Sequence, residues 1–281
     1  MQKVDLHVHS TCSDGSMSPR ELVRYAKSKG LAAIALTDHD SVDGVMEAMD
    51  EGNKIGLTVV PGIELSAKSE TETHILGFYI DIESKILKDT LKKVREARDT
   101  RTKNTCRKLR ELGFDVSIEE ALKLAPSGLI GRAHFAKLMV QKGYISSVKE
   151  GFDKYLANGK YAYDGTQYLS PKDAVELIKS SGGVSFLAHP HLTRLKGSDL
   201  VDFIKELKSY GLSGIEGYYN EYTPEMQEYF QNLAKELDLD ISGGTDFHGS
   251  MKPHIDIGIG QGNMEIPATV LDRIKEIANV K

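Results

Sequence analysis

Seven short apolar runs recur along the chain: KVDLHVH, LAAIALTD, LTVVPGIEL, THILGFYI, GGVSFLAH, LSGIEGYY and LDISGGTD. Segments with helical periodicity lie between most of them. Parallel neighbouring strands need a crossover of a dozen or more residues, usually a helix, so this alternation predicts an α/β architecture with a largely parallel sheet. The helices carry explicit start signals. In Ser18-Pro19-Arg20-Glu21 a serine cap is followed by proline at the first helical position and by the glutamate of a capping box. Ser170-Pro171-Lys172-Asp173 repeats the pattern with a shorter acid, and Thr223-Pro224 opens a third helix. Gly30, Gly182-Gly183 and Gly211 supply the stops.

One region breaks the alternation. From Ser84 to Leu169 the pattern is helical and charged, and it includes the basic segment LKKVREARDTRTKNTCRKLREL. The expected organisation is a barrel built from residues 1–83 and 170–281, interrupted by a small helical insert at 84–169. A run of Lys and Arg is ordinarily a solvated helix face. Attraction of a phosphorylated substrate is the alternative reading of this one.

The chain has 281 residues, 40% of them apolar, enough for a large core, and a formal net charge of −5. That balance gives no electrostatic pull toward long double-stranded nucleic acid or an anionic membrane. No apolar run reaches membrane-spanning length and no leader pattern precedes the first strand, so a cytoplasmic protein is expected. The cysteines, Cys12 and Cys106, are far apart in sequence. They exclude a thiolate metal site or a disulfide framework and fit a reducing compartment.

The polar residues of interest gather at or just after the carboxyl ends of the apolar runs. They are His7 and His9, Asp38-His39-Asp40, Glu64, His189 and His191, and Asp246 with His248. His74 is the exception, since it starts its run. In a parallel αβ barrel, strand carboxyl ends converge on one face. Several imidazoles and carboxylates buried together there require balancing cations. Nitrogen and oxygen donors without thiolate suit zinc, manganese or iron, and the cluster is large enough for two or three ions. Asp38 and Asp40 flank His39, where they would either orient its imidazole or organise the turn.

The motifs DLHVHSTCSDG, LTDHDSVDG, PGIEL, THILGFYID, LAHPH and GGTDFHG, in this order over roughly residues 3–260, resemble those of the polymerase and histidinol phosphatase (PHP) family. The resemblance implies a distorted (β/α)7 barrel with a helical insert that covers the active site. It also implies three divalent metal ions (Mn, Fe or Zn). The first would take His7, His9, Glu64 and Asp246. The second would share Glu64 and add His74 and His189, and the third would take Asp14, His39 and His248. Two metals joined by a carboxylate can hold a hydroxide at neutral pH, which would attack phosphorus. The chain looks most like the branch acting on 3′,5′-bisphosphorylated nucleotides and short RNA ends, so the expected partner is a small phosphorylated substrate. Histidinol-phosphate phosphatase is the second enzymatic reading, and a non-catalytic metal-binding module is the reading from another class. His191, in AHPHL, is the local candidate for general acid or phosphate contact. In IGRAHFAKL, Arg132 offers a planar fork to phosphate and His134 would support it. His254 has no assigned task, and Cys12 is read as a small spectator within the opening motif.

Overall fold

The seven apolar runs form seven strands of one sheet whose spatial order follows the chain. The structure is a computed structural model that describes residues 2–69, 71–125, 130–165 and 169–280. The strands are β1 (Val4–Val8), β2 (Ala33–Leu36), β3 (Thr58–Ala67), β4 (Thr73–Phe78), β5 (Val184–Leu187), β6 (Gly214–Tyr219) and β7 (Asp240–Gly244). Helices α1 (Pro19–Ser28) and α2 (Val45–Ile55) cross between the first three strands. Helices α3 (Lys85–Glu111), α4 (Ile118–Leu122), α5 (Arg132–Gln141) and α6 (Val148–Gly151) fall between β4 and α7 (Pro171–Ser180). Helices α8 (Gly197–Tyr210), α9 (Pro224–Glu236) and α10 (Ala268–Ile277) complete the set.

The start signals act as expected. The Ser18 hydroxyl accepts from the Glu21 amide, and the Glu21 carboxylate accepts from the Ser18 amide. Asp173 closes the same box with Ser170 despite its shorter side chain. Thr223 caps α9 by accepting from the Met226 amide.

The sheet is parallel except at β4, which runs antiparallel to both β3 and β5. The expectation of a largely parallel sheet needs this one amendment. Its cause is local: only a short connection separates β3 from β4, and a short connection joins antiparallel neighbours, never parallel ones. The two edges of the sheet then meet. Val8 bridges Phe247, the His9 amide donates to the Phe247 carbonyl at 2.9 Å, and the Val4 amide donates to Ile266 at 3.0 Å. The result is a nearly closed seven-stranded barrel with helices around it.

Contacts divide the chain into two compact units, Met1–Leu91 with Leu169–Lys281, and Lys92–Tyr168. The division falls inside α3. In the first unit, Val4 and Leu6 pack with Leu76, Phe78, Phe186 and Ile266 and with Ile274 of α10. The second unit is helical, with no strand among its described residues. It has its own core of Leu109, Val116, Phe135, Met139, Ile145 and Leu156. No helix among the described residues is long and apolar enough to cross a membrane.

Asp5 fastens the closure. It is fully buried on β1 and accepts from the Thr245 amide (2.9 Å), the Thr245 hydroxyl (2.6 Å) and the Gly258 amide (2.8 Å). Burial pushes its carboxyl up to about 6 against those donated bonds, so it is ionised at neutral pH. An asparagine here would turn an N–H toward a backbone amide that can only donate, that of Gly258 at one oxygen or of Thr245 at the other. Asp5→Asn is therefore expected to cost about 1–3 kcal/mol of stability, measured by denaturant unfolding. An unchanged midpoint would show that closure does not depend on these bonds.

Candidate metal centre

Alternation along β1 puts Asp5, His7 and, just beyond the strand, His9 on one face, with Val4 and Leu6 on the other. β7 passes so close to this face that a Cβ on Gly244 would lie 2.1 Å from the His7 Cβ and 2.4 Å from its backbone nitrogen. Only glycine permits that approach, and it brings Asp246, two residues further on, to the histidines. Asp246 turns there through a positive φ of 54°.

Glu64 of β3 is the hub, with a relative exposure of 1%. Its Oε1 lies 2.8 Å from His74 Nδ1 and 3.0 Å from His189 Nε2. Its Oε2 lies 3.1 Å from His7 Nε2, 3.2 Å from His9 Nε2 and 3.2 Å from His39 Nδ1. His74 reaches this point because β4 is reversed: the start of that strand lies beside the carboxyl ends of its neighbours, and His74 pairs with Ser66 across the β3–β4 ladder. The apparent exception in the sequence is thereby resolved by strand direction.

Asp246 Oδ1 is 3.2 Å from His9 Nε2 and 3.3 Å from His248 Nδ1, while Asp14 Oδ1 is 3.1 Å from His248 Nε2. His39 Nε2 stands 4.0 Å from Asp14. All nine residues expected as ligands thus come together. Three ligand-sized groups can be drawn among them: His7, His9 and Asp246; His9, Asp14, His39 and His248; and His39, Glu64 and His74.

The cluster draws positive charge. Burial acts to raise Glu64, but the imidazoles of His39, His7 and His74 outweigh it and hold the carboxyl well below its usual range. Burial likewise acts against protonation of His9, yet Asp246 and Glu64 raise it to about 9. His39, where burial dominates, is pushed down to about 3. His9 also stacks on His248 at 4.1 Å and on His39 at 4.6 Å, a geometry unfavourable for several imidazolium ions. The buried His9 Nε2 and His39 Nδ1 have no aligned hydrogen-bond partner, although Glu64 Oε2 lies close to both. Lone pairs aimed at one point from imidazoles and carboxylates, with no thiolate, fit divalent cations of the zinc, manganese and iron type.

Several neighbours were not evident in the sequence. Glu216, at 0% exposure on β6, contacts His7 Nδ1 at 3.0 Å and accepts from the His189 amide at 2.5 Å. The Tyr219 hydroxyl and the partly exposed Lys252 ammonium donate to Asp246 Oδ2 at 2.8 and 2.6 Å. The signal for Glu216 was an acid inside an otherwise apolar run. Nothing local marked Tyr219 or Lys252. Asp38 accepts from the Ser10 amide and from the Ser10 and Ser13 hydroxyls, and Asp40 accepts from the Ser66 amide. Both therefore pin loops beside His39.

His191 is partly buried, with Nε2 at 3.1 Å from Glu221 and its ring against Tyr219 and Tyr222. Within the helical unit, Arg132 donates to the Leu156 carbonyl and lies over the rings of Phe152 and Tyr163. His134 accepts from the Gly131 amide at 2.9 Å and so caps α5. His254 is exposed. Burial and the nearby Asp38 raise the Cys12 thiol, which leaves it a poor nucleophile.

A barrel carrying this donor set defines the frame of a metal-dependent hydrolase. The model of the PHP domain matches residues 5–279, and the chain belongs to that family. It is 34% identical over 248 residues to a 5′-3′ exoribonuclease of Haemophilus influenzae, covering 88% of this chain and 90% of that protein. It is 32% identical over 260 residues to a 3′,5′-nucleoside bisphosphate phosphatase of Chromobacterium violaceum, covering 92% and 91%. A solved Chromobacterium violaceum structure, described as an amidohydrolase with bound sulfate, superposes with a TM-score of 0.86. It is 29% identical and covers 98% of this chain and 96% of that one.

Gly244→Ala is expected to force β7 away from His7 and to cost at least about 1–3 kcal/mol. A thermal unfolding midpoint equal to that of the unaltered protein would contradict the close approach.

Proposed function

We propose that this chain is a phosphatase of 3′,5′-bisphosphorylated nucleotides, with trimming of short RNA 5′ ends as a related activity, and that it works with three divalent metal ions. The observation that carries this reading is the single buried Glu64 carboxylate with both oxygens facing imidazoles, two on one side and three on the other. Such a carboxylate is suited to join two cations, and the second cluster around Asp14, His39 and His248 is suited to a third. The relatives named for a nucleoside bisphosphate and for RNA match the chain over most of its length, which supports the substrate class.

His7, His9, Glu64 and Asp246 would hold one ion, Glu64, His74 and His189 a second, and Asp14, His39 and His248 the third. When bound, the ions supply activated water at neutral pH and positive charge for phosphoryl oxygens. The chain's own part is to fix the donors and to handle the leaving group. His191, paired with Glu221 at 3.1 Å, is the proposed acid for the departing alkoxide. The carboxylate orients the ring.

Three measurements test this. Chelation should abolish phosphate release, and Mn²⁺ should restore it. Among adenosine 3′,5′-bisphosphate, a short 5′-phosphorylated RNA and histidinol phosphate, turnover should favour the first two; preference for histidinol phosphate would reassign the substrate. Glu64→Ala and His7→Ala should each lower kcat by 100-fold or more, on the order of 3 kcal/mol, while the protein remains folded by circular dichroism. Activity equal to the unaltered protein would remove these residues from the centre.

A further inference from the structure

We infer that Glu216 is a positioning residue that locks together two of the proposed metal ligands, His7 and His189, and sets which ring nitrogen of His7 is free to bind. This rests on the metal-ligand reading above and extends it to a residue outside the ligand set.

Three observations converge on it. First, Glu216 is completely buried, and each of its carboxylate oxygens has a separate partner: Oε1 the His7 Nδ1, Oε2 the His189 backbone amide. Those same two histidines present Nε2 to opposite oxygens of Glu64, at 3.1 and 3.0 Å. The two carboxylates therefore hold the histidine pair from both sides, Glu64 at the binding nitrogens and Glu216 behind them.

Second, the proton on His7 follows from the acceptor behind it. A carboxylate oxygen accepts, so Nδ1 carries its hydrogen toward Glu216, while Nε2, which without metal likewise donates to Glu64, is the nitrogen whose proton a cation would displace. A carboxylate behind a ligating imidazole fixes ring orientation and raises ligand basicity.

Third, His189 needs an external hold. It precedes Pro190, a position that favours extended backbone, yet it sits at φ 28°, ψ 60°. The 2.5 Å bond from its amide to Glu216 is a contact able to keep the backbone there. The chain delivers Glu216 to this spot through a bulge in β6, where the pairing with β7 shifts register between Glu216 and Tyr218. Residues three apart on a regular strand face opposite ways. The extra residue lets Glu216 and Tyr219 both reach the cluster, the second through Asp246.

Glu216→Gln is the discriminating substitution. The amide oxygen still accepts from the His189 amide, so its NH₂ is turned to His7 Nδ1. That nitrogen then becomes the acceptor, the ring proton moves to Nε2, and the binding lone pair is lost. Mn²⁺ titrations of the full-length chain, followed by calorimetry and by metal analysis after dialysis, should show one class of site weakened about 10–100-fold. Bound metal should fall by one ion at concentrations that saturate the unaltered protein. The metal-free variant should unfold close to the unaltered protein.

Equal Mn²⁺ affinity in a folded Glu216→Gln protein would overturn the role of Glu216 and leave the ligand set standing. No Mn²⁺ uptake by the unaltered protein would overturn the ligand set and Glu216 with it. If the variant does not fold, nitrogen-15 spectra of the Zn²⁺-loaded unaltered protein decide. A slowly exchanging His7 Nδ1 proton is expected, and a proton on Nε2 instead would overturn the assignment.

Discussion

Everything in the barrel unit is arranged around a carboxylate that cannot be buried alone. Removing an ionised acid from water costs several kcal/mol even after relaxation, and Glu64 is almost completely enclosed. It is tolerated because imidazoles reach it from β1, from the loops after β2 and β5, and from β4. Those imidazoles in turn are held by Asp14, Asp246 and Glu216. Such a lattice of donors and acceptors has too many convergent lone pairs to satisfy itself. Divalent cations are the economical completion, and phosphoester chemistry is what such cations do well.

The backbone carries the cost of that convergence in a few places. His189 and Asp246 both adopt positive φ without being glycine, as does Asp40 beside His39. Strain of this kind, about 1–3 kcal/mol per residue, persists where the surroundings over-determine it. Here the surroundings are identifiable: the Glu216 bond to His189, the Ser66 bond to Asp40, and the paired donors on Asp246. Gly244 serves the same end by removing a side chain where β7 must touch β1.

Much of this was legible beforehand. Local rules found all seven strands, because each is a short apolar run bounded by turn or cap residues, and they found the capping boxes of α1 and α7. The residues proposed as ligands stood out because acids and histidines at the ends of apolar runs are costly to bury without purpose. Glu216 was hidden by the same logic. It lies inside a run rather than at its end, and its partners are 209 residues upstream and 27 residues upstream. Asp38 and Asp40 were ambiguous because a carboxylate beside a histidine reads alike whether it orients the ring or ties down a loop.

By itself the sequence determined the element types, the interruption by a helical segment and the chemical identity of the donors, since those depend on periodicity, capping and residue type. Only the tertiary structure decided strand direction at β4, and hence why a histidine at the start of a strand belongs with others at strand ends. It also decided which nitrogen of each imidazole faces Glu64 and which residues stand behind the donors. These are matters of distance between segments far apart in the chain. The physics that sets them, close backbone approach at Gly244, a bulge in β6 and hydrogen bonds across the barrel, acts only once the sheet has closed.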